Sequence, residues 1–128
     1  KGKKNVRFIN ESFMDVNFKN AKFDLILLAN ASRYIPRTQE NIFFSHIRNW
    51  LKKDGVFIIH SDFFGGLLGK LLAPLMIYFS NPSNLNPNTT FEWELEKELQ
   101  KYFMLKNKLS VGREIFGRGQ HTAFICVK

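Results

Sequence analysis

Cysteine, histidine and acidic residues are scarce in this sequence, and each scarcity removes a class of function. One cysteine, Cys126, in 128 residues leaves no partner for an internal disulfide. Nothing then ties the chain to an oxidising compartment, and a reducing cytoplasm is the expected location. The three histidines, His46, His60 and His121, stand far apart in the sequence. With no paired Cys or His spacing to hold an ion, no metal site is expected. Nineteen basic residues against eleven acidic ones give a net charge of +8. The basic residues are spread along the chain, the densest group being Lys1, Lys3 and Lys4, so attraction to phosphates or anionic surfaces is favoured without a specific nucleic-acid site. A long uninterrupted apolar run is also missing. Phe63 to Phe79 is broken by Gly65, Gly66, Gly69, Lys70 and Pro74 and is short of the roughly 20 residues of a spanning helix. It reads as a buried or lid-forming helix, with a flap over an apolar ligand or a dimer contact as the second reading. The charged start runs into a polar, acidic segment, which is not the pattern of a signal peptide.

What is present is enough for one ordinary domain, 45% apolar, with a real core. Its organising stretch is Phe23 to Ile35, where Asp24 feeds an apolar run that turns polar at Asn30, Ser32, Arg33 and Tyr34. A run without alternation fits a strand covered on both faces, as in a parallel sheet. Ahead of it, Val6 to Asn10 reads as a strand and Glu11 to Asp15 as a loop. Behind it, Thr38 can cap a helix running to about Lys53, with Ile42, Phe43, Ile47, Trp50 and Leu51 on one face. Lys52 and Lys53 suit the negative end of that helix, and Gly55 is placed to leave it. Val56 to Ile59 is the next strand, ending in His60, Ser61 and Asp62. A strand, helix and strand joined this tightly predict a right-handed parallel crossover, with Asn30 to Tyr34 and His60 to Asp62 facing one crevice.

Ser80 to Asn88, with Pro82, Pro87 and four asparagines, reads as a loop. Thr89 and Glu92 have the spacing of a capping box for a helix lined by Leu95, Leu99, Tyr102 and Phe103. Glu92, Glu94, Glu96 and Glu98 on that helix read as a solvated face. Met104 to Val111 and His121 to Val127 predict a closing antiparallel hairpin. A nucleophilic triad at His60, Ser61 and Asp62 is excluded because neighbouring side chains on a strand point to opposite faces.

This order of elements, with Phe23-Asp24 opening one strand and Trp50-Leu51-Lys52-Lys53-Asp54-Gly55-Val56 entering the next, resembles the latter half of the catalytic domain of class I S-adenosylmethionine-dependent methyltransferases. The resemblance implies an α/β, Rossmann-like sheet, mostly parallel with an antiparallel C-terminal hairpin and incomplete at its N-terminus. The chain, 1–128, would be a single domain beginning at the family's third strand. It implies S-adenosylmethionine as cofactor, with Ser12 where the family most often has an adenine-binding Asp, Glu11 beside it, Phe13 touching the ring and Asn30 near the methionine part. Tyr34, His60 and Asp62 fall on the acceptor side as catalytic candidates, His60 being able to accept a proton near neutral pH. The family's glycine-rich loop after strand one and acidic end of strand two have no counterpart here. A longer polypeptide, a partner chain or a homodimer is therefore expected to complete the sheet. The expected activity is methyl transfer to an apolar small molecule. A nucleic-acid methyltransferase and a non-catalytic binding module are the alternatives.

Overall fold

The computed structural model describes residues 8–16, 18, 22–63, 92–111 and 120–128. The apolar run of the organising stretch forms β1, Phe23–Ala29. Two short 3-10 turns, Ser32–Tyr34 and Arg37–Gln39, lead into α1, Glu40–Trp50, and β2 follows without a loop as Leu51–Phe63. The remaining described elements are α2, Glu92–Leu99, and the hairpin strands β3, Met104–Val111, and β4, Gln120–Val127. The four strands form one sheet in the order β1-β2-β4-β3. β1 is parallel to β2, and the other two pairs are antiparallel. This is the expected α/β sheet with its closing hairpin, and its parallel part among the described residues is the single pair β1 and β2.

Alternation along β2 decides where the core sits. Phe57, Ile59, Ser61 and Phe63 are buried, while Ile58, His60 and Asp62 between them are only half-buried. Phe43, Phe44, Ile47 and Trp50 of α1 and Leu95 and Leu99 of α2 pack on the buried side, together with Phe103, Phe124 and Cys126. The Phe44 ring lies 6.4 Å from that of Phe57 and 6.5 Å from that of Phe103. Each large apolar side chain so buried contributes about 1.5–3 kcal/mol. Burial also pushes the Cys126 thiol up to about 11, which makes it an inert core group.

The other side of the sheet corrects the expectation for β1. Leu25 and Leu27 pair with Val56 and Ile58 and are 55% and 62% exposed, so β1 is covered on one face only by the described residues. Upstream, Phe8 to Asn10 are exposed and carry no strand, against the expected strand from Val6, whose first two residues lie outside the described ones.

The exit from α1 also differs from its expected form. The helix stops at Trp50 because Leu51 turns to extended backbone, with φ −69° and ψ 138°. Lys52 and Lys53 therefore sit beyond the helix, where residues 52–55 bulge out between the pairs Phe23–Leu51 and Leu25–Val56. Lys52 reaches back to Asp24 at 2.8 and 2.9 Å and holds that carboxyl below its usual range. Asp54, with φ 66°, takes the left-handed turn expected of Gly55. Gly55 is needed for closeness instead, since a Cβ there would stand 3.0 Å from the Lys52 carbonyl and 3.1 Å from that of Phe23.

At the start of α1 the N-cap is Gln39, and no side chain caps the helix, so Thr38 does not play its expected part. Ile42, read as a core position, is 45% exposed, and Phe44, which was not, is 1% exposed. The glutamates of α2 are tied down rather than simply solvated. Lys108 holds Glu92 and Glu96 at 2.6 and 2.7 Å, Arg37 holds Glu94 at 3.2 Å, and Lys101 pairs with Glu98. Thr89, the loop 80–88 and the apolar stretch beyond Phe63 lie outside the described residues. No helix among the described residues is long and apolar enough to cross a membrane.

Phe44→Ala is expected to cost about 3–5 kcal/mol in urea unfolding, against less than about 1 kcal/mol for Ile42→Ala. Equal costs would refute the packing described. Burial first, and then the nearby Glu98, raise the pKa of Glu40. A raised folded-state value favours the protonated form, so its stabilising effect is present below the unfolded pKa and lost as pH rises through the folded one. Glu40→Gln should accordingly raise the urea midpoint at about pH 7 and give no gain at about pH 3. A gain of the same size at both pH values would count against that burial.

Candidate active site

β1 and β2 run in parallel, so their carboxyl ends lie side by side. Ala29 pairs with His60, and the next N–H, that of Asn30, donates to the His60 carbonyl at 2.9 Å. Asn30 then leaves the strand with φ 53°, a conformation that asparagine tolerates better than most residues. The turn that follows brings the Ser32 hydroxyl to 2.7 Å from that of Ser61 on the core side of β2. Asn30 and Ser32 thus meet His60 and Ser61 at one edge, as expected. The side chains of His60 and Asp62, however, face the opposite side of the sheet from Ser61, so the two groups do not face a single crevice. Tyr34 is exposed at this edge, one residue before the buried Ile35.

His60 and Asp62 face away from the helices, on the opposite side from Ser61, as the alternation of a strand requires. The antiparallel register of β2 and β4 sets His121 directly across from Asp62. Nδ1 of His121 lies 2.5 Å from Oδ1 of Asp62, and the His121 ring stacks on that of His60 at 5.8 Å with an angle of 3°. The three histidines are far apart in the sequence. The hairpin brings two of them together, while His46 stays on α1 with its ring 5.5 Å from that of Trp50. The missed signal was the pairing register, which puts residues 62 and 121 opposite each other.

Glu11, Ser12 and Phe13 form a turn of their own. The Ser12 carbonyl accepts from the amides of Asp15 and Val16, and its hydroxyl accepts from that of Met14 at 3.3 Å. Glu11 is exposed. The Phe13 ring packs edge-on against Phe43 at 4.8 Å, which anchors the turn to α1. A separate cleft of about 240 Å³ lies between the start of α1 and α2, lined by Arg37, Glu40, Trp93, Glu94, Glu98 and Lys101 among others. Its walls are the ion pairs of the helix side, and none of the candidate residues lines it.

Residues 1–59, a little under half of the chain, match the family model described as a methyltransferase domain. Solved structures share the fold over nearly the whole chain. A Pyrococcus horikoshii OT3 protein is 19% identical with a TM-score of 0.67, over 94% of this chain and 59% of its own. A Methanosarcina mazei S-adenosylmethionine-dependent methyltransferase is 15% identical with a TM-score of 0.66, over 92% of this chain and 65% of its own. Geranyl diphosphate C-methyltransferase from Streptomyces coelicolor A3(2), solved with Mg2+, geranyl diphosphate and S-adenosyl-L-homocysteine, is 10% identical with a TM-score of 0.63, over 89% and 50%. No curated protein matches the chain. The resemblance to class I S-adenosylmethionine-dependent methyltransferases is borne out. The chain has their fold from β1 to β4 and spans between half and two thirds of the length of these structures.

The Ser32–Ser61 contact fastens the turn after β1 to β2. Ser32→Ala and Ser61→Ala are each expected to lower stability by about 1 kcal/mol, and the double variant by little more than either, in a urea double-mutant cycle. Strict additivity would show that the two hydroxyls do not bond to each other.

Proposed function

We propose that the chain takes part in methyl transfer from S-adenosylmethionine to an apolar small-molecule acceptor, as one portion of a catalytic domain completed by a longer polypeptide, a partner chain or a second copy. The observation that carries this reading is the hydrogen bond from Asn30 to the His60 carbonyl, which holds the polar ends of two parallel strands at one edge in a chain of methyltransferase fold. Asn30 would face the methionine part of the cofactor, and the turn of Glu11, Ser12 and Phe13 the adenine. His60, Asp62 and Tyr34 would stand on the acceptor side. In the transfer, an acceptor electron pair forms the new bond to the methyl carbon, the carbon–sulfur bond breaks, and the sulfonium becomes a neutral thioether. Any acceptor proton leaves to a neighbouring base. Holding donor and acceptor in line supplies most of the rate, so no strong base is required. The apolar acceptor is supported by the composition of residues 63–79 and by the terpenoid diphosphate named for one structural neighbour.

Isothermal titration of S-adenosylhomocysteine into the completed domain, this chain extended upstream or joined by its partner, tests the reading. Saturable binding is expected, weakened about tenfold in Asn30→Gly, which keeps the turn but removes one hydrogen-bonding side chain. Ser12→Asp should tighten it, because a charged acceptor bonds the adenine amino group more strongly than a hydroxyl. No saturable binding would turn the choice to a non-catalytic module, and binding unaffected by either change would remove these residues from the cofactor site.

A further inference from the structure

We infer that His60, Asp62 and His121 form a binding site for a divalent transition-metal ion such as Zn2+. One ligand atom from each of the three lies within 4.8 Å of the others. The arrangement follows from the sheet itself. His60 and Asp62 are two apart on β2 and so share a side, and β4 places His121 directly opposite Asp62 and diagonal to His60. Two rigid antiparallel strands thus fix all three Cα positions, and side-chain rotation alone has to close the site. Zinc bonds to imidazole nitrogen and carboxylate oxygen at about 2.0–2.2 Å, which sets ligand atoms roughly 3.4 Å apart around a tetrahedral ion. A contraction of about 1.4 Å from the observed spacing is within the reach of χ rotation in side chains that are half-buried or exposed.

The donor set is chemically selective. Two imidazoles and one carboxylate suit zinc and neighbouring first-row ions better than Mg2+ or Ca2+, which prefer oxygen alone. Three protein ligands leave at least one position open, the pattern of sites that bind a water or substrate oxygen rather than purely structural ones. The cluster lies on the side of the sheet away from α1 and α2, with His121 exposed and His60 and Asp62 half-buried. Its position beside the Asn30–His60 hydrogen bond puts it at the edge proposed for the acceptor. The ligands come from β2 and β4 alone, so the site stands whether or not the chain transfers methyl groups.

Titration of ZnCl2 into the protein, freed of any histidine tag, decides the matter. One ion per chain is expected, with affinity reduced at least about tenfold in Asp62→Asn and in His121→Gln. Cys126→Ser should leave it unchanged, since that thiol is buried on the opposite side of the sheet. The exposed His121 makes its variant the safer one for folding, which thermal unfolding in chelator would verify. Substitution with Co2+ gives a second readout, the visible absorption of a low-coordinate ion lost in His121→Gln. Zinc binding untouched by the Asp62 and His121 changes, or no binding at one ion per chain, would overturn the inference. S-adenosylhomocysteine titration of the same variants separates this outcome from that of the methyl-transfer reading.

Discussion

Backbone pairing between β1 and β2, running from Phe23–Leu51 to Ala29–His60, requires the chain to travel out along one strand, return through α1 and set out again in the same direction. That parallel constraint governs the rest. It forces both carboxyl ends to one edge, so that the polar residues after Ala29 meet those after Ile59. It also fixes which side α1 covers, because a right-handed crossover places the helix on one face. The aromatic core of Phe43, Phe44, Phe57 and Phe103 then seals that face and leaves His60 and Asp62 on the other.

The entry to the ladder shows how local residues serve it. The helix ends one residue before β2 begins, so the chain has no loop in which to correct its path. The bulge at residues 52–55 makes the correction instead, with Asp54 in the left-handed region and Gly55 tight against the Phe23 carbonyl. Lys52 on Asp24 and the Lys128 ammonium on the Leu51 carbonyl at 2.8 Å brace it from both neighbouring strands. Exposed pairs such as the first are worth little by themselves. Their part is to choose one register among several that the apolar run 25–29 would accept, since a slip by one residue would exchange the buried and exposed sets.

Much of this was legible in the sequence because it is written in short-range patterns. The helical spacing of Phe43, Ile47 and Trp50 follows from a period of 3.6, and the apolar run of β1 and the two segments of the hairpin from short stretches of local composition. The shared edge of Asn30 and His60 followed from connection length alone. What escaped depends on contacts between distant segments. Phe44 is buried because α2 and Phe103 close over it, which no local window contains. The position of His121 across from Asp62 depends on the register of β2 with β4, and register is set by turns and packing beyond either strand. Composition likewise marked Lys52 and Lys53 as helix-ending residues, whereas the tertiary pull of β1 ended the helix earlier.

The two chemistries assigned to the edge make different demands on His60. A nitrogen that coordinates an ion has committed its lone pair and can no longer take a proton from an acceptor. Methyl transfer tolerates that loss, because attack on a sulfonium methyl is limited by alignment more than by proton removal. An ion held by His60, Asp62 and His121 would place a positive charge on the side proposed for the acceptor, and charge of that kind orients and polarises without consuming a base. An imidazole stack and a carboxylate on a sheet face need no such role to be stable. Their convergence at the carboxyl end of β2, rather than elsewhere on a sheet face otherwise lined by Leu25, Leu27 and Ile58, is what gives the arrangement chemical meaning.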